Sequence, residues 1–162
     1  MKLIIHDLEK EQLQNFYLAE HDDKIVSKEN KIHKCMGCFG CWVKTPGQCV
    51  IKDEFQKMGE WIAGADKVVI ISRCVYGSYS PFVKNVLDRS ISYIHPYFTK
   101  RNGEVHHRSR YHRKQNFEII FYGEQILSEE KETAMALTKA NGVNFNTTEI
   151  AVKFCDMEGV AV

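Results

Sequence analysis

Four of the six cysteines lie within a stretch of fifteen residues, and their spacing could support metal chemistry. They are Cys35, Cys38, Cys41 and Cys49. Closely spaced thiolates can converge on one 4Fe–4S cluster or one zinc ion, and Gly37 and Gly40 would let the loop wrap a cluster. Zinc fits less well, because structural zinc sites usually take two ligands from each of two separated elements. The alternatives are a packed loop of buried thiols anchored by Trp42, and a catalytic dithiol.

A second candidate site is the turn-rich segment Arg73–Ser80, which follows a strongly predicted strand. Gly77 permits the backbone to approach a flat ring, and Tyr76 and Tyr79 can stack on such a ring or cover it. Ser78 adds a hydroxyl group. The competing interpretation is an ordinary strand-to-helix turn filled by aromatic side chains.

Apolar periodicity and turn residues predict strands that alternate with helices. The strands are predicted at residues 2–6, 24–28, 67–72, 116–122 and 144–154, and the helices at 9–20, 53–65, 81–93 and 128–141. We expect Asp53 and Ser128 to cap their helices, Gly142 to end the last helix, and residues 96–115 to be irregular. This alternation is typical of an α/β fold with a doubly wound parallel sheet, whose ligands bind beyond the carboxyl ends of the strands.

Length and composition favour a single domain that spans residues 1–162 and works in the cytoplasm. The chain is 44 % hydrophobic and 27 % charged, as is usual for a globular protein. Its formal net charge of +1 predicts neither a nucleic-acid partner nor a membrane surface. The apolar run at residues 3–5 is too short for a signal peptide or a membrane span. In the cytoplasm, clustered cysteines favour metal or redox chemistry over disulfides.

Residues 100–114 form the one strongly basic stretch. It could receive the phosphate of NADPH, an acidic partner or a nucleic-acid backbone. Its histidines, His106, His107 and His112, could bind a metal together with Glu104, although the surrounding positive charge argues against a cation. The remaining interpretations are a solvated loop and a contact between subunits.

The cysteine stretch resembles the flavodoxin-like NAD(P)H-dependent FMN reductases, and iron–sulfur flavoproteins carry much the same cysteine pattern. The matching residues are Cys35-x-Gly37-Cys38-x-x-Cys41-Trp42-x-x-Thr45-Pro46-Gly47-x-Cys49-Val50-Ile51-x-Asp53. A later run is similar to the isoalloxazine loop and following helix of that family: Ala65-Asp66, Ser72, Tyr76-Gly77 and Lys84-x-x-x-Asp88-Arg89. The resemblance extends over residues 33–95.

The resemblance implies a flavodoxin-like, doubly wound, five-stranded parallel sheet with helices on both faces and FMN at its carboxyl edge. The implied flavin contacts are Cys74, Val75, Tyr76, Gly77, Ser78, Tyr79, Tyr122 and Gly123. Electrons would come from NAD(P)H or a redox partner and pass to a small acceptor such as a quinone or a flavin. The flavin would perform this chemistry without a catalytic side chain. The family also implies a homodimer or homotetramer, with the basic stretch at a subunit contact.

Residues 5–12 depart from the family, whose corresponding loop is rich in Gly, Ser and Thr and holds the FMN phosphate. Asp7, Glu9 and Glu11 place negative charge there, and like charges in contact cost about 1 kcal/mol even in water. FMN would then be held by other groups, such as Lys10 or residues of a neighbouring subunit. Alternatively, the chain is a non-enzymatic module that has lost FMN, or an iron–sulfur protein that transfers electrons without flavin.

Overall fold

The computed structural model describes residues 1–101 and 103–162. Its strands are β1 (Lys2–His6), β2 (Lys24–Ser27), β3 (Lys67–Arg73), β4 (Ile94–Arg101), β5 (Glu104–Ser109), β6 (Asn116–Tyr122) and β7 (Glu149–Cys155). Its α-helices are α1 (Leu13–Phe16), α2 (Gly40–Val43), α3 (Met58–Gly64), α4 (Pro81–Arg89) and α5 (Ser128–Phe145). Short 3-10 turns lie at Lys10–Gln12, Glu54–Lys57 and Ile91–Tyr93.

Five strands form one parallel sheet in the order β2-β1-β3-β6-β7, which confirms the flavodoxin-like, doubly wound prediction. From β1 the chain builds outward first to β2 and then, on the other side, to β3. The carboxyl ends of β1 and β3 therefore form the switch point at which such folds bind their ligands. This point brings Asp7 next to Arg73.

Both faces of the sheet are buried at its central strands, but they are covered unequally. Val68, Val69, Ile70 and Ile71 of β3 are all essentially inaccessible to solvent, as expected for a central parallel strand. Helices α3, α4 and α5 pack on the face that carries Val68 and Ile70. The opposite face is covered by the single turn α1 and by residues near both ends of the chain, including Tyr17 and Met157.

Residues 96–115, predicted to be irregular, instead contain most of an antiparallel hairpin formed by β4 and β5. The sequence pattern hid it because polar, basic and aromatic side chains are mixed on both strands, and because Pro96 lies inside β4. The hairpin stands apart from the main sheet. It leaves Tyr97, Phe98 and Val105 more than 60 % exposed.

Several helix ends also differ from the predictions. The helix predicted at residues 9–20 is reduced to a 3-10 turn and the single turn α1. Helix α5 has Leu127 rather than Ser128 at its N-cap, where the Glu130 carboxylate accepts the Leu127 amide at 3.1 Å. It runs past Gly142 and ends at Asn146, whose left-handed backbone (φ 52°) closes the helix. Strand β7 consequently begins at Glu149, later than predicted.

Among residues 1–101 and 103–162, no helix is both long and apolar enough to cross a membrane.

Candidate functional site

The four clustered cysteines line a single pocket of about 250 Å³. Besides the thiols, its walls come from the cysteine loop and from the end of α4 with the turn that follows: Met36, Gly37, Phe39, Ile51, Asp88, Arg89 and Ile91. Cys41 is buried, Cys35 and Cys49 are half-buried, and Cys38 is exposed. The loop thus turns its thiols toward a common space and leaves one side of that space open to solvent.

The backbone of the cysteine loop is bent by two left-handed residues. Gly37 (φ 63°) and Phe39 (φ 52°) reverse the chain on either side of Cys38, and α2 begins immediately afterwards. Gly40 is required by close packing, because a Cβ there would lie 2.5 Å from a methyl carbon of Val50. These residues bring the last cysteine next to the first three.

Hydrogen bonds from neighbouring elements hold the loop in place. The Cys35 amide donates to the side chain of Asn85 on α4 at 2.9 Å. The Cys49 amide donates to the Gln56 carbonyl at 2.9 Å, and the Gln56 side chain donates back to the Cys49 carbonyl at 3.2 Å. The Trp42 indole N–H lies 2.9 Å from the Ile94 carbonyl, so the aromatic anchor inferred from sequence is present.

A buried ion pair lies behind the cysteine pocket. Arg89 of α4 has no exposed side-chain surface, and its two terminal nitrogens donate to the two carboxylate oxygens of Asp53 at 2.8 and 2.7 Å. The guanidinium holds the pKa of the Asp53 carboxyl below its usual range. Asp53 also accepts the Phe55 amide at 3.0 Å, as expected from its predicted capping role.

The pocket fits an iron–sulfur cluster better than a single metal ion. Within residues 1–101 and 103–162, no three histidine, cysteine or carboxylate side chains converge tightly enough to ligate one ion, as zinc would require. Four cysteine thiolates are the usual ligands of a 4Fe–4S cluster, and these four cysteines line one pocket. Burial raises the pKa of the Cys41 thiol, as do the neighbouring cysteines.

The second candidate site, at the carboxyl edge of the sheet, is built around a tight turn. Val75 and Ser78 pair with each other at 2.9 Å in both directions, and Tyr76 (φ 52°) and Gly77 (φ 75°) occupy the left-handed positions of a type I′ turn. The turn rests on α5, where a Cβ on Gly77 would lie 2.6 Å from Thr133. The Tyr76 ring is 88 % exposed and is free to stack on a ligand.

The other implied flavin contacts are placed less favourably. Tyr79 is buried in the core, where its ring stacks on Phe121 with centroids 5.3 Å apart. Burial raises its pKa to about 12. Tyr122 is also buried, against Phe16 at 5.2 Å, and Gly123 follows it beneath the surface. Of the predicted set, only Cys74, Val75 and Tyr76 line the shallow pocket of about 430 Å³ at this edge.

An acidic side chain fills the position at the end of β1 where a phosphate would be expected. The Asp7 carboxylate accepts the Arg73 amide at 3.1 Å, so a donor at the switch point is already used. Asp7 and Glu130 both line the shallow pocket. The turn backbone therefore suits a flat ring, while the end of β1 does not suit an anion.

Among the residues that the structure describes, the histidines of the basic stretch do not form a metal site. His106 bonds to Glu104 at 2.9 Å, and His107 bonds to the His95 carbonyl at 2.8 Å. His112 is exposed and lies beyond the hairpin. The His107 ring instead packs between Trp42 and Phe98, with centroids 5.0 and 4.8 Å away, and so joins the hairpin to the cysteine loop.

Sequence reasoning missed the partners that complete the cysteine pocket. Arg89 was noticed only as a member of a resembling motif, Asp53 as a motif member and a helix cap, and the link to Asn85 was not foreseen. A signal was available, because Asp53 and Arg89 each end one of the two matching runs. The sequence does not show that the two residues meet.

Comparison with known proteins bears on the family and the fold of the chain. A family model described as NADPH-dependent FMN reductase matches residues 8–108. Two curated proteins of Archaeoglobus fulgidus, each named iron-sulfur flavoprotein, are similar over part of their length. One is 35% identical over 71 residues, which are 43% of this chain and 34% of the relative. The other is 29% identical over 73 residues, 45% of this chain and 32% of the relative. The chain thus spans about a third of the length of the curated relatives it matches.

Solved structures share the fold. Azoreductase AzrA superposes with a TM-score of 0.62 at 13% identity, over 98% of this chain and 87% of that one. An NAD(P)H:quinone oxidoreductase from Methanothermobacter marburgensis gives 0.59 at 11% identity, over 97% and 87%. An FMN-dependent NADH-azoreductase from Bacillus anthracis str. Ames Ancestor, solved in complex with FMN, gives 0.58 at 12% identity, over 99% and 89%. At such identities the likeness establishes the fold alone.

Proposed function

The chain belongs to the NADPH-dependent FMN reductase family, and from this membership we propose that it is an FMN-dependent oxidoreductase. It would take electrons from NAD(P)H or a redox partner and pass them to a small acceptor, such as a quinone or a flavin. The observation that carries the proposal is the extent of the family match. Residues 8–108 include the whole cysteine loop and the turn that offers Tyr76 at the switch point.

The flavin ring is proposed to lie against the backbone of residues 74–78, beneath the exposed ring of Tyr76. The left-handed residues of this turn direct backbone groups rather than bulky side chains toward the pocket. Bound FMN supplies the hydride and electron chemistry, and the protein supplies position and polarity. Because Tyr79 and Tyr122 are buried, their part would be to support the turn and the end of β6 from below.

The FMN phosphate is proposed to be met by groups other than the end of β1. Asp7 already accepts the Arg73 amide, and the like charge of Glu9 and Glu11 opposes a second anion. Lys10 is an exposed cation on the neighbouring turn. A second copy of the chain is the other source of positive charge, which accords with the proposed homodimer or homotetramer.

The exposed hairpin is the proposed subunit contact. Phe98 and Val105 are exposed on one face of the hairpin, and a second copy would cover that face. Replacing Phe98 with Asp should then lower the mass measured by light scattering without changing the far-ultraviolet circular dichroism. An unchanged mass would place the contact elsewhere.

The four cysteines are proposed to hold one 4Fe–4S cluster that exchanges electrons with the flavin. All six cysteines are free, as expected of a protein that works in the reducing cytoplasm. The pocket of about 250 Å³, its apolar walls and the bidentate pair behind it support this assignment.

The proposed activity is tested under anaerobic conditions with protein to which FMN has been added. NADH and NADPH are each expected to bleach the flavin bands, and a quinone should restore them. The same additions to free FMN serve as the control. Protein that neither binds FMN nor accelerates this bleaching would overturn the proposed activity.

A further inference from the structure

The guanidinium of Arg89 is buried, and one of its three nitrogens lacks a hydrogen-bond partner. Its terminal nitrogens are occupied by Asp53 and by the His33 carbonyl, which accepts at 2.9 Å. The third nitrogen, Nε, is inaccessible to solvent, and its N–H has no hydrogen-bond partner. A buried donor on a charged group is costly to leave without an acceptor, so an orphan of this kind is uncommon in a folded protein.

The location of Arg89 suggests what would meet that donor. Arg89 lines the same pocket as the four thiols, and the Cys49 thiol lies within hydrogen-bond reach of its guanidinium. Burial opposes the charged form, but the carboxylate of Asp53 and the thiol of Cys49 outweigh it and raise the pKa of Arg89. The structure therefore places a permanent hydrogen-bond donor beside the last ligand of the proposed cluster.

We propose that Arg89 donates its Nε–H to the sulfur atoms of the cluster at Cys49 and thereby raises the reduction potential of the cluster. The inference rests on the proposed 4Fe–4S cluster. Reduction adds one negative charge to the sulfur-rich cluster, and a hydrogen bond to sulfur stabilises the more negative state. The negative charge of the Asp53 carboxylate, behind Arg89, lowers the reduction potential. The potential therefore depends on the balance between the two charges of the pair.

Two variants shift this balance in opposite directions. Arg89→Lys keeps a positive charge next to Asp53 but lacks the Nε–H. The reduction potential of the cluster should then fall by about 59 mV, which for a one-electron couple leaves about tenfold less reduced cluster at a fixed potential. Asp53→Asn keeps the guanidinium and removes the opposing charge, so the potential should rise. Asparagine also caps helices well, so the turn that begins at Glu54 should persist.

The measurement is a redox titration of anaerobically purified protein, followed by the electron paramagnetic resonance signal of the reduced cluster. Arg113→Lys is the matched control, because Arg113 pairs with Asp66 at 2.5 Å on the exposed surface, away from the thiols. It should leave the potential unchanged. If Arg89→Lys does not fold, the direction of the shift in Asp53→Asn decides the matter.

The outcomes separate the inference from the function on which it rests. Opposite shifts in the two variants, with about four irons retained per chain, support the role of Arg89. Unshifted potentials with a full cluster overturn that role and leave the cluster assignment standing. Variants that merely lose iron, while the remaining cluster keeps its potential, show a structural pair and also overturn it. Wild-type protein without iron and sulfide overturns the cluster and the role of Arg89 together.

Discussion

The cysteine pocket and the carboxyl edge of the sheet both lie within the family match, but the chain supplies more of the groups that the first site needs than of those that the second needs. The pocket has its four thiols around one space, a loop pinned by Asn85 and Gln56, and a buried bidentate pair behind it. The edge has one exposed aromatic ring, a tight turn and an acidic end of β1. The proposed cluster would therefore need the residues of one chain only, whereas the proposed FMN site would depend on groups outside the first loop.

The largest effect is expected from Cys38→Ser. Because Cys38 is exposed, the substitution should not disturb the fold, but it removes one thiolate ligand. Bound iron should fall at least tenfold relative to wild-type protein in an iron and sulfide assay. Cys155→Ala, which changes a buried cysteine on the opposite face of the sheet, should retain its iron. Full iron in Cys38→Ser would show that the pocket does not use all four thiols.

The next largest effect is on stability, from Asp53→Ala. The substitution leaves the Arg89 charge buried without its carboxylate, which should lower the free energy of unfolding by about 3–5 kcal/mol. The folded-state pKa of Asp53 is lowered, so its contribution is complete above about pH 4 and is lost as the pH falls through the folded pKa. Urea unfolding between neutral and acidic pH measures both effects.

The control for that prediction is Asp66→Ala, which breaks an exposed pair with Arg113. Exposed pairs contribute little, so its denaturation midpoint should stay close to that of wild-type protein. Equal destabilisation by the two variants would mean that the pair behind the cysteine pocket has no special role in holding it.

At the carboxyl edge, Tyr76→Gly should weaken FMN binding about tenfold, because stacking by the exposed ring is worth roughly 1 kcal/mol or slightly more. The same change should raise stability slightly, since glycine adopts a φ of 52° without strain. Fluorescence titration with FMN and thermal unfolding report the two quantities, and Tyr76→Phe should preserve binding. Unchanged affinity in Tyr76→Gly would remove the ring from the proposed flavin site.

A smaller effect is expected from Asp7→Asn, which should tighten FMN binding about fivefold by removing one like charge near the phosphate. The amide oxygen can still accept the Arg73 amide, so the turn should be kept. Riboflavin has no phosphate and should bind both proteins equally. Equal gains for FMN and riboflavin would show that Asp7 does not face the phosphate.

The sheet was predictable because its strands carry near-continuous β-branched runs, as in β3. The start of the helical turn at Glu54 was predictable because Asp53 is a recognisable N-cap. The hairpin was not, since its exposed strands bury no regular face and their pairing depends on long-range contacts such as His107 with Trp42. The truncation of the first helix was also hidden, because residues 9–20 carry a helical apolar pattern that the chain does not extend.

The candidate sites were predictable in residue type but not in placement. The cysteine spacing indicated a shared pocket, and the four thiols do line one. Tyr76 and Tyr79 look equivalent in sequence, but one is exposed and the other stacks in the core, because the turn reverses the chain between them. The pairing of Asp53 with Arg89 joins residues 36 positions apart, which no local pattern reveals.

The most direct test of the contrast between the two regions is the cofactor content of wild-type protein. Iron, sulfide and flavin are measured per chain after anaerobic purification, before and after gel filtration at low protein concentration. We predict about four irons and four sulfides per chain throughout, with flavin lost on dilution and restored by added FMN. Tightly retained flavin in a protein without iron or sulfide would contradict it.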